Sequence, residues 1–541
     1  MTTYIFVTGG VISGIGKGIV TASIGRILIS KGFRVTAIKI DPYINYDAGT
    51  LRPTEHGEVF VTADGGEIDE DLGHYERFLG INLTKNHNIT TGKIYLRVIE
   101  KERRGEYLGK TVEVIPHITN EIKDWIKKIA KEDNADFVIV EIGGTVGEYQ
   151  NEIYYRAARI MKNEGEKVLF VHVVYLPIPK HLGEMKTKPA QHSIELLGRL
   201  GIFPDFIVAR AEKELDEIRK EKFSMMCNIR KEDIISAPDL DLTYELPLYF
   251  EKQDLGNKIL EKIGLEKRKS DLSLWEKMVM NLKNSNTIVK IGIVGKYFDS
   301  GSFEFSDSYI SIIEAIKHAC AFLKVKPQII SINSKALENS EDLNSLKDLN
   351  GIIVPGGFGV SGVNGKLRTI KYARENNIPF LGLCFGLQLA VIEFARNVCN
   401  LNNANSTEID EKTEHPVIDL IPEQREILEE KKYGASMRLG NHVVKIKKET
   451  LAYRIYQKEE VLERFRHRYE VNPKYVKILE KNGLVFSGFS KENEKIMQIC
   501  ELPNHKFFIC TQFHPEFSSK FLDPHPIFVN FVKACISYEK T

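Results

Sequence analysis

The sequence predicts an α/β protein of two doubly wound domains with mainly parallel sheets. Three observations carry that prediction. The chain has 541 residues, more than one ordinary domain of about 100–200 residues accommodates. With 43% hydrophobic and 28% charged residues it has a globular composition and can bury a sizeable core. Short β-branched runs alternate with longer amphipathic stretches, first in one half and then, after a break, in the other.

In chain order, Tyr4 to Thr8, Val35 to Ile40, Phe137 to Glu141, Lys167 to Val174 and Phe206 to Ala209 read as buried strands. Ile19 to Ser30 and His117 to Glu132 read as the helices between them. A charged stretch from Glu266 and the polar Lys283-Asn-Ser-Asn286 interrupt the rhythm. The expected division is therefore domain 1–267, linker 268–286 and domain 287–541. The second series comprises Thr287 to Val294, Gln328 to Ile332, Gly351 to Val354, Ile378 to Leu383 and Phe507 to Gln512. Asn397 to Gly434, rich in Asn, Glu and Lys, reads as a long surface insertion.

Lys+Arg 75 against Asp+Glu 74 gives a net charge of +1, so nothing global calls for nucleic acid or a membrane surface. Any anionic ligand must be caught locally. Seven cysteines without a CxxC pair suit a reduced protein free of disulfides. The first ten residues lack the pattern of a signal peptide. The longest apolar stretch, Val168 to Pro179, is too short to span a membrane at the ~20 residues needed. These features predict a cytoplasmic protein.

Tyr4 to Gly18 runs strand, glycine-rich loop, lysine, helix: Gly9-Gly10-Val-Ile-Ser13-Gly14-Ile15-Gly16-Lys17-Gly18. Backbone N–H groups approach phosphates only where side chains are absent, and a helix N-terminus favours the anion. The first glycine is one place too far from Gly16-Lys17 for a strict Walker A motif, and Gly18 stands where Ser or Thr would hold magnesium. Asp71, and Glu141 at a strand end, are the candidate hard-oxygen ligands for Mg²⁺ in their place. Lys39 ends another strand and is suited to neutralise phosphoryl charge. Lys186-Thr-Lys188-Pro189-Ala-Gln191 reads either as a surface loop or as a cradle for a second polyphosphate.

In the second half, Gly382-Leu-Cys384-Phe-Gly386 joins a buried strand to a helix, the cysteine version of a nucleophile elbow. The other six cysteines read as small buried hydrophobes. His514 and Glu516, two apart around Pro515, supply a general base and its orienting carboxylate. The N–H groups of Gly357 and Phe385 are candidates for binding an oxyanion. Together they predict acyl transfer from an amide.

These residues carry a resemblance. The N-terminal half resembles the synthase (amidoligase) domain of the CTP synthase family, P-loop NTPase-like, through Lys39-Ile-Asp-Pro-Tyr43, His56-Gly-Glu-Val-Phe60, Asp71-Leu-Gly-His-Tyr75, Glu141-Ile-Gly-Gly-Thr-Val-Gly147 and Gly183-Glu-Met-Lys-Thr-Lys-Pro189. The C-terminal half resembles a class I glutamine amidotransferase domain through Cys384, His514 and Glu516. The resemblance implies ATP-dependent amination of UTP to CTP: ammonia released from glutamine passes through a tunnel and displaces phosphate from a uracil phosphorylated at O4. It implies Mg²⁺ with ATP and no organic cofactor, GTP as activator, CTP as inhibitor, and a homotetramer with filaments as a further possibility.

Carried over by position, the resemblance implies that Gly14, Ile15, Gly16, Lys17, Gly18 and Ile19, with Lys39 and Asp71, hold ATP, and that adenine packs on Pro238, Asp239 and Leu240. Asp71 and Glu141 would bind Mg²⁺. UTP or CTP would meet Ser13, Glu148, Tyr149, Gln150, Lys186, Thr187, Lys188, Pro189, Ala190, Gln191 and Lys222. Glutamine would meet Gly357, Phe385, Gly386, Leu387, Gln388, Glu408 and Arg468. The sequence departs from the family pattern after Gly147, at Pro238 and at Gly14, which bears on CTP feedback and on adenine contacts. The alternatives are another P-loop amidoligase that activates a carboxylate, and a silent assembly protein; a Rossmann dehydrogenase lacks its ribose-binding acid.

Overall fold

A computed structural model of the chain describes residues 2–51, 56–296, 299–300, 303–304, 307–338, 343–420 and 437–538. It divides into two compact units, Met1–Asp47 with Asp71–Val279, and Ala48–Glu70 with Met280–Thr541.

The first unit is built on seven strands: β1 (Thr3–Gly10), β2 (Val35–Asp41), β3 (Asn88–Thr90), β4 (Phe137–Ile142), β5 (Lys167–Tyr175), β6 (Phe206–Ala211) and β7 (Ile234–Pro238). Their order is β3-β2-β4-β1-β5-β6-β7, with every neighbouring pair parallel. Every residue of β1, β2 and β4 is buried, as a parallel sheet covered on both faces requires. Helices α1 (Lys17–Ser30), α2 (Asp71–Leu79) and α3 (Lys188–Arg199) matter for the site. Gly25 lets α1 approach closely: a Cβ there would lie 3.0 Å from Leu79. The chain leaves β1 for β2 on one side and reaches β5 on the other, so the carboxyl end of β1 is a switch point, where such sheets bind ligands.

The second unit has a nine-stranded sheet. Its strands are β8 (Ile288–Gly295), β9 (Lys326–Asn333), β10 (Gly351–Val354), β11 (Phe380–Leu383), β12 (Arg438–Ile446), β13 (Glu460–His467), β14 (Val485–Ser490), β15 (Met497–Glu501) and β16 (Phe508–Thr511). In the order β9-β8-β10-β11-β16-β15-β14-β12-β13, the pairs from β9 to β16 are parallel and the rest antiparallel. Helix α4 (Phe385–Asn397) follows β11.

The partition differs from the expected one at two places. Residues 48–70 belong with the second unit, where Glu67 pairs with Arg466 at 2.8 Å and the Val61 carbonyl accepts from Arg464 at 3.1 Å. The expected linker contains a helix, Ser273–Asn284, and Trp275 is buried against Tyr244 and Phe78. Within the expected insertion, Ala404–Ser406 and His415–Leu420 are strands of a small sheet, and Ala404, Val417 and Ile418 are core residues. Residues 421–434 of that insertion lie outside the described residues.

Candidate active site

At the carboxyl edge of the first sheet, β1 gives way to a loop that turns through positive φ at Val11, Gly14 and Gly16 before α1 starts at Lys17. Lys17 is buried, and its ammonium donates to the Gly144 carbonyl at 2.9 Å. Burial lowers its pKa, partly offset by Glu141. Parallel register sets Lys39 on β2 beside Glu141 on β4. The Lys39 ammonium donates to Glu141 at 3.1 Å, forms a close ion pair with Asp71 at the start of α2, and lies 3.9 Å from Asp41. Burial raises the pKa of Asp71 but Lys39 outweighs it, and the group ends at about 2. Glu141 moves up, through burial and the neighbouring Asp71.

A side chain on Gly18 would run into the Asp71 carboxylate. The space where a strict Walker A motif projects a hydroxyl is therefore filled by an acid brought from α2. Among the described residues no three acidic, His or Cys side chains form a complete metal cage.

Lys188, Pro189, Ala190 and Gln191 form the first turn of α3, with Thr187 at its N-cap, so most of the 186–191 segment is helix and not surface loop. Ser13, Gly14, Tyr149, Gln150, Lys222 and Asp239 are exposed, Ile19, Lys186 and Leu240 half-buried, and Ile15 and Pro238 buried. Glu148 folds back on Thr145, accepting from its N–H at 2.8 Å and its hydroxyl at 2.6 Å.

Three side chains in this region escaped sequence reasoning. The Tyr75 hydroxyl donates to Glu141. Arg210 Nη1 lies 3.9 Å from the point where a Gly16 side chain would begin, and Arg210 pairs with Asp239 at 2.8 Å. His172, fully buried on β5, links the Thr8 hydroxyl at 2.8 Å to the Ser193 hydroxyl on α3 at 3.1 Å. Burial holds its pKa down at about 3, so it is a neutral bridge. Tyr75 falls within the segment Asp71-Leu-Gly-His-Tyr75, whereas Arg210 and His172 carry no sequence signal beyond their strands.

In the second unit, three adjacent parallel strands deliver the thiol centre. Loops leave β10 at Gly356 and Gly357, β11 at Cys384, and β16 at His514. Cys384 has φ +50°, a left-handed conformation strained for a side chain. Its flanking glycines are required by space: a Cβ on Gly382 would meet Cys510 Sγ at 2.8 Å, and one on Gly386 would run into the Val354 carbonyl. His514 Nδ1 bonds Glu516 Oε1 at 2.7 Å, and its ring stacks on Phe517 at 5.0 Å. Burial alone would lower the His514 pKa; Glu516 and the Cys384 sulfur carry it up to about 10. The thiol is held by Gln512 Nε2 at 3.5 Å and the Arg466 carbonyl at 3.6 Å.

Cys384 and His514 open on a cavity of about 220 Å³, whose wall includes Gly357, Gln388, Glu408 and Arg468. Gln388 donates to the Tyr469 carbonyl at 2.8 Å, and among the described residues its buried Oε1 has no hydrogen-bond partner. Glu408 accepts from the Gly359 N–H at 2.7 Å, and burial raises its pKa. Phe385, Gly386 and Leu387 are buried in the first turn of α4 and contribute backbone. Glu58 and Val59, from the segment His56-Gly-Glu-Val-Phe60, also line this cavity, which their spacing gives no reason to expect.

A family model described as CTP synthase N-terminus matches residues 3–265, and one for class-I glutamine amidotransferase matches residues 304–534. CTP synthase of Pyrococcus abyssi is 55% identical over 100% of this chain and 99% of its own length. That of Sulfolobus acidocaldarius is 52% identical over 98% of this chain and 99% of its own. The chain belongs to the CTP synthase family. It is a glutamine-hydrolysing ligase that makes CTP by glutamine- and ATP-dependent amination of UTP. A carboxylate-activating amidoligase is not favoured. A solved glutaminase domain of Trypanosoma brucei CTPS with bound acivicin is 36% identical, covering 47% of this chain and 96% of that one, with a TM-score of 0.42. No helix among the described residues is long and apolar enough to cross a membrane.

Proposed function

We propose that the amination is divided between the two centres, with Cys384 as nucleophile. Its sulfur attacks the glutamine side-chain amide carbon, and the resulting oxyanion is bound by the N–H groups of Gly357 and Phe385. His514, aligned by Glu516, gives its proton to the departing ammonia; water then hydrolyses the thioester. Arg468 suits the glutamine carboxylate by its planar fork, and Gln388 Oε1 and Glu408 suit the ammonium end.

At the other centre the loop from Gly14 to Ile19 and Lys17 hold the ATP phosphates, and Pro238 to Leu240 hold the adenine. Ser13, the 186–191 segment and Lys222 hold UTP, with Glu148, Tyr149 and Gln150 at the site of CTP feedback. Asp71 and Glu141 would hold Mg²⁺. Their fit is supported by their convergence on one cation, Lys39, and by Asp71 filling the space beyond Gly18; Mg²⁺ commonly takes one or two carboxylates and completes its shell with phosphates and water. When bound, the ion neutralises charge on the transferred phosphoryl group. Lys39 does the same from the protein side; the γ-phosphoryl passes from ATP to uracil O4 with release of ADP, and ammonia then attacks C4, forming the C–N bond as phosphate leaves with O4. GTP activation, CTP inhibition, a homotetramer and a cytoplasmic location complete the reading.

The observation that carries it is the coexistence in one chain of the Cys384–His514–Glu516 pocket and the lysine–carboxylate phosphate loop. The test is CTP formation by Cys384→Ala with glutamine or ammonium. Glutamine-driven synthesis should fall by ~10³-fold or more while ammonium-driven synthesis stays at the wild-type rate. Equal loss with both nitrogen sources would sink the division of labour.

A further inference from the structure

Behind the elbow lies a lysine that the chemistry above leaves unused. Lys366, on the helix Val363–Glu375, is 0% exposed. Its ammonium donates to the Pro355 carbonyl at 3.5 Å and lies 5.4 Å from the centroid of the Phe385 ring. Among the described residues no carboxylate pairs with it. Burial pushes its pKa down to about 7, helped by Lys296 and opposed by the Cys384 sulfur, the titratable groups that act on it among the described residues. An unpaired buried ammonium is among the costliest groups a core can hold, and an apolar side chain of equal length would relieve the cost.

The two groups it touches belong to the two sides of one site. Pro355 precedes Gly356 and Gly357 in the loop after β10, and Phe385 begins α4 directly after Cys384. A Cβ on Gly356 would lie 3.7 Å from Cys384 Cβ and 3.0 Å from His514 Cε1, so these segments are already in contact range. We propose that Lys366 is a positioning residue of the thiol centre, tying the Pro355 carbonyl to the Phe385 ring and so fixing the spacing of the Gly357 and Phe385 N–H groups around the oxyanion. Its positive charge also favours the negative oxygen that forms there, beyond the ring. The proposal rests on the reading of Cys384 as nucleophile.

Lys366→Met keeps the length and removes the charge. Glutamine-driven kcat should drop about 10- to 100-fold with the glutamine KM changed less than about threefold, because an interaction made only in the transition state has been lost. The alkaline limb of wild-type kcat/KM should move to higher pH, where His514 loses its proton, since deprotonation of Lys366 no longer contributes to it. Ammonium-driven synthesis, Cys384 alkylation by iodoacetamide and Tm should stay at or above wild-type values. A glutamine-driven kcat within about twofold of wild type would overturn the proposal. So would parallel loss of ammonium-driven synthesis and Tm, which marks a residue that only supports the fold. If Cys384→Ala keeps glutamine-driven synthesis, the reading beneath the proposal falls first, and that result is separate from either outcome for Lys366.

Discussion

The phosphate-loop centre and the thiol centre occupy the same place in their sheets, the carboxyl edge of a parallel array, yet they handle charge in opposite ways. Around Lys39, with Lys17 close by, carboxylates crowd together: Asp71 is held down at about 2, whereas Asp41 and Glu141 are raised by burial. That balance changes with any polyphosphate or cation that enters. Around Cys384 the catalytic charge pair is His514–Glu516 at 2.7 Å, and the effort lies in backbone geometry. Transfer of a phosphoryl group needs charge stabilised as it moves; attack on an amide needs two N–H groups and a sulfur held in place.

The sharpest way to break the contrast is Lys39→Met. It removes the ammonium from a cluster of acids, so CTP formation should fall by ~10²–10³-fold or more with glutamine and ammonium alike. Alkylation of Cys384 should be unchanged. A loss confined to the glutamine-driven reaction would mean that Lys39 serves the thiol centre, and the two regions would no longer be separable by charge.

Gly18→Ala tests the substitution of Asp71 for a Walker hydroxyl at lower cost. The added methyl meets the Asp71 carboxylate, which must swing from Lys39. An activity loss of about tenfold is expected, relieved in part by raised Mg²⁺, measured as a shift of the Mg²⁺ concentration for half-maximal rate. An unchanged Mg²⁺ dependence would remove Asp71 from the metal's ligands.

Much of both centres was legible because their chemistry demands residues at fixed spacing. The glycines two before and two after Cys384 are forced by contacts with Cys510 and the Val354 carbonyl, so the elbow shows in the sequence. The buried strands of the parallel arrays show as β-branched runs for the same reason. By contrast β12 and β13 are half-buried strands carrying Arg438, Glu460, Arg464 and Arg466, and their polar faces hid them. Residues 48–70 sit among first-half motifs in sequence but pair with Arg464 and Arg466, a contact no local pattern encodes. Lys366 was invisible too: with Arg368, Lys371 and Arg374 close by, it reads as one more solvated cation on a helix.

The smallest effect sharpens the contrast most directly, because it asks what a lone buried charge costs in the thiol unit. Lys366 has a folded-state pKa of about 7 against an ordinary 10.5. Below pH 7 it is protonated in both folded and unfolded chains, and the penalty for burying the ammonium is fully present. Between about 7 and 10.5 the unfolded chain binds the proton and the folded one does not, so wild-type stability gains relative to a variant without the group as pH rises. Lys366→Met should therefore melt above wild type at pH 6, by about 2–4 °C for each kcal/mol relieved, and the gap should close as pH approaches 10. Thermal melts of both proteins at pH 6, 7.5 and 9 read it out. A gap that is constant with pH would mean the lysine titrates as it does in water, and its ammonium would then be solvated, not clamped between Pro355 and Phe385.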